Sequence, residues 1–159
     1  MELVRTAVLI AATIAMGLIA GLFYTYACSV MPGLRRVDDR AFVSAMQHIN
    51  AAIQNGWFAL SFFGAFLLTA VAAALHIGSW TTFGLTVAGL ALYVWTLGIT
   101  FRVNIPLNNR LDAAGPGARI DDPGAARRAF EAPWVRWNLA RALTNTAAFA
   151  CLGAALVTA

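Results

Sequence analysis

Four stretches of this chain, Ala7–Tyr26, Trp57–Leu75, Phe83–Phe101 and Leu139–Val157, are near-continuous runs of apolar and small residues that share one charged side chain, Arg141. Each is close to the roughly 20 residues that a helix needs to cross a hydrocarbon core about 30 Å thick. Within a bilayer every backbone N–H and C=O must be paired inside the protein, which leaves helices and closed barrels as the spanning structures. The period-two alternation of barrel strands is absent, so the runs predict an all-α fold: a single integral membrane domain over residues 1–159, built as a four-transmembrane-helix bundle. With 60% hydrophobic and 11% charged residues, against about 25% charged in a soluble domain, a water-soluble globule is excluded. The first run is longer than the apolar core of a secretory signal. Thr25-Tyr26-Ala27 before Cys28 also lacks a small-residue cleavage pattern, so this run is read as a helix of the mature chain.

The few charges set an expected topology. All 11 basic residues are arginines. Arg35, Arg36 and Arg40 follow the first span, while Arg102, Arg110, Arg119, Arg127, Arg128 and Arg136 lie between the third and fourth, and Arg5 stands alone at the opposite end. By the positive-inside rule both long loops face the cytoplasm and both termini lie outside, as in a bacterial-type cytoplasmic membrane. The net charge of +4 then reads as a topology signal, and no basic soluble face points to nucleic acid. Pro32 and Gly33 are expected to end the first helix, and Asp38 or Asp39 to cap the next. No proline interrupts the chain from there to Leu75, which predicts one long helix from about Asp39 to Leu75, extended into the cytoplasm. Pro106 is expected to break or kink the third helix, and the Ala-, Gly- and Pro-rich Ala113–Ala126 segment to form a flexible crossing.

Uncharged polar residues gather at the arginine-rich end: Tyr24, Tyr26, Cys28 and Ser29, then Gln47, His48, Asn50, Gln54 and Asn55, then Asn104 and Asn108. Trp134, Asn138, Arg141 and Asn145 follow at spacings of four, three and four, which place them on one helix face. Arg141 has two readings. It snorkels to the headgroups, or it faces the bundle and holds an anion such as a phenolate, enolate or carboxylate. His48 is either a solvated interfacial residue or, by its ordinary pKa near neutrality, the general base of the set. No metal site is expected. His48 and His76 lie about 42 Å apart on a continuous helix, Cys28 and Cys151 fall near opposite membrane faces, and the acids are loop residues. Neither a phosphate-binding glycine loop nor a Ser-His-Asp arrangement is present.

The strings Gly21-Leu-Phe-Tyr24, Val30-Met-Pro32-Gly-Leu34 and Phe42-Val-Ser-Ala-Met46-Gln-His-Ile-Asn50 resemble the four-helix membrane family that includes the anthrone oxygenases. So do Asn104-Ile-Pro106-Leu-Asn108-Asn109 and Trp134-Val-Arg-Trp137-Asn138-Leu-Ala-Arg141. The resemblance implies an oxygenase that converts a hydroxyaromatic or polyketide-type substrate with O2, without metal, flavin or other cofactor, because anthrone enolates react with oxygen directly. Carried over residue by residue, His48 would take a proton and Arg141 would hold the enolate or phenolate oxygen. Asn50, Asn104, Asn108 and Asn138 would bind and orient the substrate, and Tyr24 and Trp137 would line its ring pocket. The expected partners are the bilayer and a small hydrophobic or aromatic substrate, with homo-oligomerisation left open. Two other readings compete: a non-catalytic protein that binds or transports an amphipathic anion, and a structural partner subunit.

Overall fold

The structure, a computed structural model, describes residues 1–159 apart from the side chain of residue 118. The chain folds into α1 (Glu2–Leu34), α2 (Asp39–Ala52), α3 (Gly56–Leu75), α4 (Trp80–Ala113) and α5 (Pro123–Thr158), with no strand among the described residues. All but α2 are long and apolar enough to cross a membrane, and the protein is an integral membrane four-helix bundle. The core at the end away from the arginines is formed by Leu9, Met16 and Ile19 of α1, Phe62 and Ala65 of α3, Tyr93 of α4 and Leu152 of α5. Small residues bring the helices together there: a methyl group added at Gly89 would lie 3.3 Å from the Ala148 carbonyl oxygen. Buried threonines return their hydroxyls to their own helices, Thr69 to the Ala65 carbonyl at 2.6 Å and Thr86 to the Thr82 carbonyl at 2.7 Å, so these hydroxyls are not left bare in hydrocarbon.

The prolines that were expected to stop or kink α1 and α4 are instead absorbed by π-turns. Each helix widens just before its proline, over Tyr26–Val30 ahead of Pro32 and over Thr100–Asn104 ahead of Pro106, and then resumes α-geometry. A proline in a helix lacks the N–H for an i−4 bond, and its ring crowds the carbonyl of residue i−4; a local i→i+5 turn accommodates both. α1 therefore continues to Leu34 and α4 to Ala113.

The continuous Asp39–Leu75 helix is a correction. The chain breaks at Ile53–Asn55, where Asn55 takes an extended backbone (φ −130, ψ 167). Its amide closes both helix ends, donating to the Ala52 carbonyl at 2.8 Å and accepting from the Phe58 N–H at 3.0 Å. An asparagine ahead of a glycine is a strong helix starter, and here that local preference outweighs the missing proline. Asp38 caps α2, as the sequence led one to expect, accepting from the Ala41 N–H at 2.9 Å.

The crossing between α4 and α5 is tied down rather than loose. Gly115, at φ +95, ends α4 in a left-handed turn that favours glycine. Gln47 of α2 donates to the Leu111 and Gly115 carbonyls, both at 2.9 Å, and accepts from the Gly117 N–H at 3.0 Å. Arg40 donates to the carbonyls of Gly117 and Ile120, both at 3.0 Å. The 36 residues of α5 make a rod about 54 Å long, so its first part stands beyond the hydrocarbon. There Arg127 pairs with Glu131 at 2.7 Å and Asp39 at 3.0 Å, donates to the Val37 and Arg35 carbonyls, and lies 4.5 Å from the Phe42 ring centre. Arg127→Ala is expected to cost about 1–3 kcal/mol, since it removes the Asp39 pair and two carbonyl hydrogen bonds at once and leaves Glu131 to Arg35 alone. Arg128→Ala, with its looser 4.0 Å contact to Asp122, should cost less than about 0.5 kcal/mol. Thermal unfolding in detergent reads the difference.

Candidate functional site

The polar stripe of α5 faces the bundle interior: Trp134, Asn138, Arg141 and Asn145 are all buried. Arg141 is 5% exposed, so its side chain faces the bundle interior and does not snorkel to the headgroups. Its guanidinium lies 4.2 Å from the centre of the Phe23 ring and 5.5 Å from that of Trp134. One terminal nitrogen donates to Asn138 Oδ1 at 3.0 Å and the other to Thr100 Oγ1 at 3.4 Å, while Nε has no partner among the described residues. No carboxylate among the described residues pairs with it. A buried cation of this kind is held by ring faces and neutral dipoles alone.

Each contact depends on a feature already described. Asn138 is fixed in turn by donating to the Phe23 carbonyl at 3.1 Å, which lies just ahead of the α1 π-turn. Thr100 opens the π-turn of α4, and Asn104 closes it, its amide directed at the Trp134 carbonyl at 3.5 Å. The Trp134 indole N–H donates to Asn108 Oδ1 at 2.9 Å, and its ring packs against Tyr26 with centres 5.4 Å apart. Asn104 Oδ1, Asn50 Nδ2 and both amide atoms of Asn145 lack partners among the described residues. Polar atoms buried this way are groups a ligand can satisfy.

Beside this network is a cavity of about 560 Å³ between α3 and α4, roofed by the junction of α2 and α3. Phe58, Phe62, Phe63 and Phe101 form its apolar wall; Asn50, Gln54, Thr100, Asn108, Asn109 and Asp112 supply its polar edge. That volume suits a small-molecule ligand. Thr100 is the wall between the cavity and the guanidinium. Asp112 is the one acidic side chain on the lining.

The sequence-derived candidates thus separate into three groups. Asn50 and Asn108 line the cavity, and Asn104, Asn138 and Arg141 form the buried network behind it. Tyr24, His48 and Trp137 lie elsewhere. Tyr24 is 60% exposed, because Phe23 and Tyr26 take the inner face of α1. His48 is exposed on α2, its ring nitrogen 2.7 Å from the Ser44 carbonyl oxygen. Trp137 borders a separate furrow on the outside of the bundle. Thr100, Asp112 and the phenylalanine wall are not among the sequence-derived candidates. A signal for two of them was present: Thr96, Thr100, Asn104, Asn108 and Asp112 recur at steps of four, a polar stripe running from the core to the rim.

The family model for anthrone oxygenase matches residues 56–151. The chain belongs to the anthrone oxygenase family. No curated protein and no solved structure matches it. In this anthrone oxygenase family member the matched segment holds Thr100, Asn104, Asn108, Asp112, Trp134, Asn138 and Arg141, hence the cavity's polar edge on α4 and the α4 and α5 side of the arginine network, while Phe23 and Tyr26 of α1 lie outside it. Tyr24, His48 and Asn50 lie outside it. Among the described residues no three His, Cys, Asp or Glu side chains gather as a metal site would need.

Asn138→Leu removes the acceptor of Arg141 and the donor to the Phe23 carbonyl together. It should destabilise the protein by about 1–3 kcal/mol, whereas Asn109→Leu on the exposed edge should stay within about 0.5 kcal/mol. Paired melting curves in detergent test the contrast.

Proposed function

We propose that this chain is a membrane-embedded oxygenase that oxidises an anthrone-type hydroxyaromatic with O2 to the corresponding quinone. The observation that carries the reading is a phenylalanine-walled cavity of about 560 Å³ whose polar edge backs onto an unpaired, buried guanidinium. A planar ring system would lie against the wall of Phe58, Phe62 and Phe101, with its carbonyl or phenol oxygen toward the amides of Asn50 and Asn108; the Thr100 hydroxyl donates to the Thr96 carbonyl at 2.9 Å and accepts from Arg141. Arg141, one hydrogen bond behind Thr100, supplies fixed positive charge where the substrate oxygen becomes negative, and in low dielectric such preorganised charge counts far more than in water.

Asp112 takes the proton in this reading, because His48 faces away from the cavity lining and Asp112 is on it. Loss of a proton from the ring CH2 gives an enolate. Its carbon adds O2 to form a hydroperoxide; cleavage of the O–O bond with loss of the second C–H hydrogen leaves the new carbonyl, and the other oxygen departs as water. One O2 is reduced for each ring carbon oxidised, and neither a metal nor a flavin takes part. The positive-inside rule supports a cavity mouth toward the cytoplasm, in a bacterial-type cytoplasmic membrane with both termini outside. A conduit for an anion fits less well, since the stripe beyond Asn145 closes on the fully buried Ala148, Leu152 and Ala155.

The test is quinone formation and O2 uptake by the purified protein in detergent, measured against micelles alone. One O2 per quinone is expected. Asp112→Asn should slow turnover by about 10²–10⁴, and Arg141→Met by about 10²–10³ in protein that circular dichroism shows to be still helical at the assay temperature. A rate no greater than that of empty micelles across a panel of hydroxyaromatics would remove the enzyme reading. Turnover lost in His48→Ala and kept in Asp112→Asn would return the proton to His48.

A further inference from the structure

The outer face of the bundle carries a second concavity, separate from the candidate site. It is a furrow of about 610 Å³ on the flank of α4 where α5 meets it, with Ala91, Val94 and Gly98 along its floor and Trp95, Arg102 and Trp137 at its edges. Phe101 borders both this furrow and the candidate-site cavity and stands between them. A methyl group added at Gly98 would meet nothing within 4 Å, so the floor is open there.

We propose that this furrow is a binding site for one anionic phospholipid. Charge and length both support that occupant. Arg102 is exposed and forms no salt bridge among the described residues. Arg136 adds a second guanidinium at the same end, 5.7 Å from the centre of the Trp137 ring. Two cations beside an interfacial tryptophan, Trp137, are a setting in which a lipid phosphate is held. From Arg102 to Ala91 the helix runs eleven residues, about 16 Å at standard rise, close to half of a hydrocarbon core about 30 Å thick. The furrow is therefore one leaflet deep: phosphate at Arg102, acyl chain along Gly98, Val94 and Ala91. A soluble anion would leave that apolar floor uncovered.

Native mass spectrometry of the detergent-purified protein, titrated with dioleoylphosphatidylglycerol or dioleoylphosphatidylcholine, separates headgroup recognition from simple coating of an apolar face. The expected result is a preference of about fivefold or more for the glycerol lipid. Arg102→Ala should abolish it, Arg102→Lys should keep most of it, and Gly98→Leu, which fills the floor, should lower retention of both lipids. Arg36→Ala, an exposed cation outside the furrow, should leave the preference intact. Because the Arg102 side chain makes no ion pair in the protein, its loss should leave the melting temperature in lipid-free detergent unchanged. Equal retention of the two lipids, a preference that survives Arg102→Ala, or one that Arg36→Ala removes as fully, would overturn the proposal.

Discussion

A guanidinium held 5% exposed inside a hydrophobic bundle, with no carboxylate against it, is the constraint around which the arginine-rich end is built. An unpaired charge in hydrocarbon is tolerated only when ring faces and aligned dipoles replace its water. Phe23 and Trp134 supply the faces, and Asn138 and Thr100 the dipoles. Those groups come from three helices, so α1, α4 and α5 must meet at one depth. The second tier follows: Asn108 satisfies the Trp134 indole, and Asn138 is anchored on a backbone carbonyl of α1. Removing the charge would leave this set of amides without its common acceptor-seeking centre.

The π-turns make that meeting possible. Each widens a helix one turn from a proline, at Tyr26–Val30 and Thr100–Asn104, and each sits beside the guanidinium rather than at a random point of the span. The α4 turn puts both Thr100 and Asn104 inside, where uninterrupted α-geometry would drift the four-residue spacing around the helix by about 40° per step. The break at Asn55 has a complementary effect. By ending α2 and starting α3 at a new angle, it makes the roof of the cavity and brings Asn50 and Gln54 to its edge.

How far the sequence disclosed this differed with the kind of signal. The four spans were legible because hydrocarbon thickness imposes a length and a composition that nothing else in the chain imitates. The α5 stripe was legible because three- and four-residue spacing holds on an unbroken helix, and α5 is unbroken through Pro133 and Arg141. Which of Tyr24 and Tyr26 turns inward was not, since two residues apart on a helix means nearly opposite faces and both faces of α1 are apolar. The phenylalanine wall was hidden for the same reason: in a span nearly every residue is apolar, and periodicity cannot tell a lipid-facing ring from a cavity-facing one. Asp112 is a loop acid only if Pro106 breaks α4; a proline absorbed by a π-turn carries the helix, and that carboxylate, on to the cavity. The Asn55 break had a local signal in Asn-Gly, outweighed in the sequence reading by the absence of proline.

The central claim is that Arg141 places usable positive charge at the cavity. It is tested most directly by the ionisation of a bound phenol. A hydroxyanthraquinone changes colour on losing its proton, so its midpoint can be followed by absorbance in protein-containing and protein-free micelles of the same detergent. Positive charge nearby favours the phenolate and lowers the midpoint, whereas burial alone raises it. The expected result is ionisation at lower pH when the dye is bound to the wild-type protein, with the lowering lost in Arg141→Met. A bound dye that ionises at the same or higher pH than in empty micelles, or a lowering that persists without Arg141, would contradict the claim.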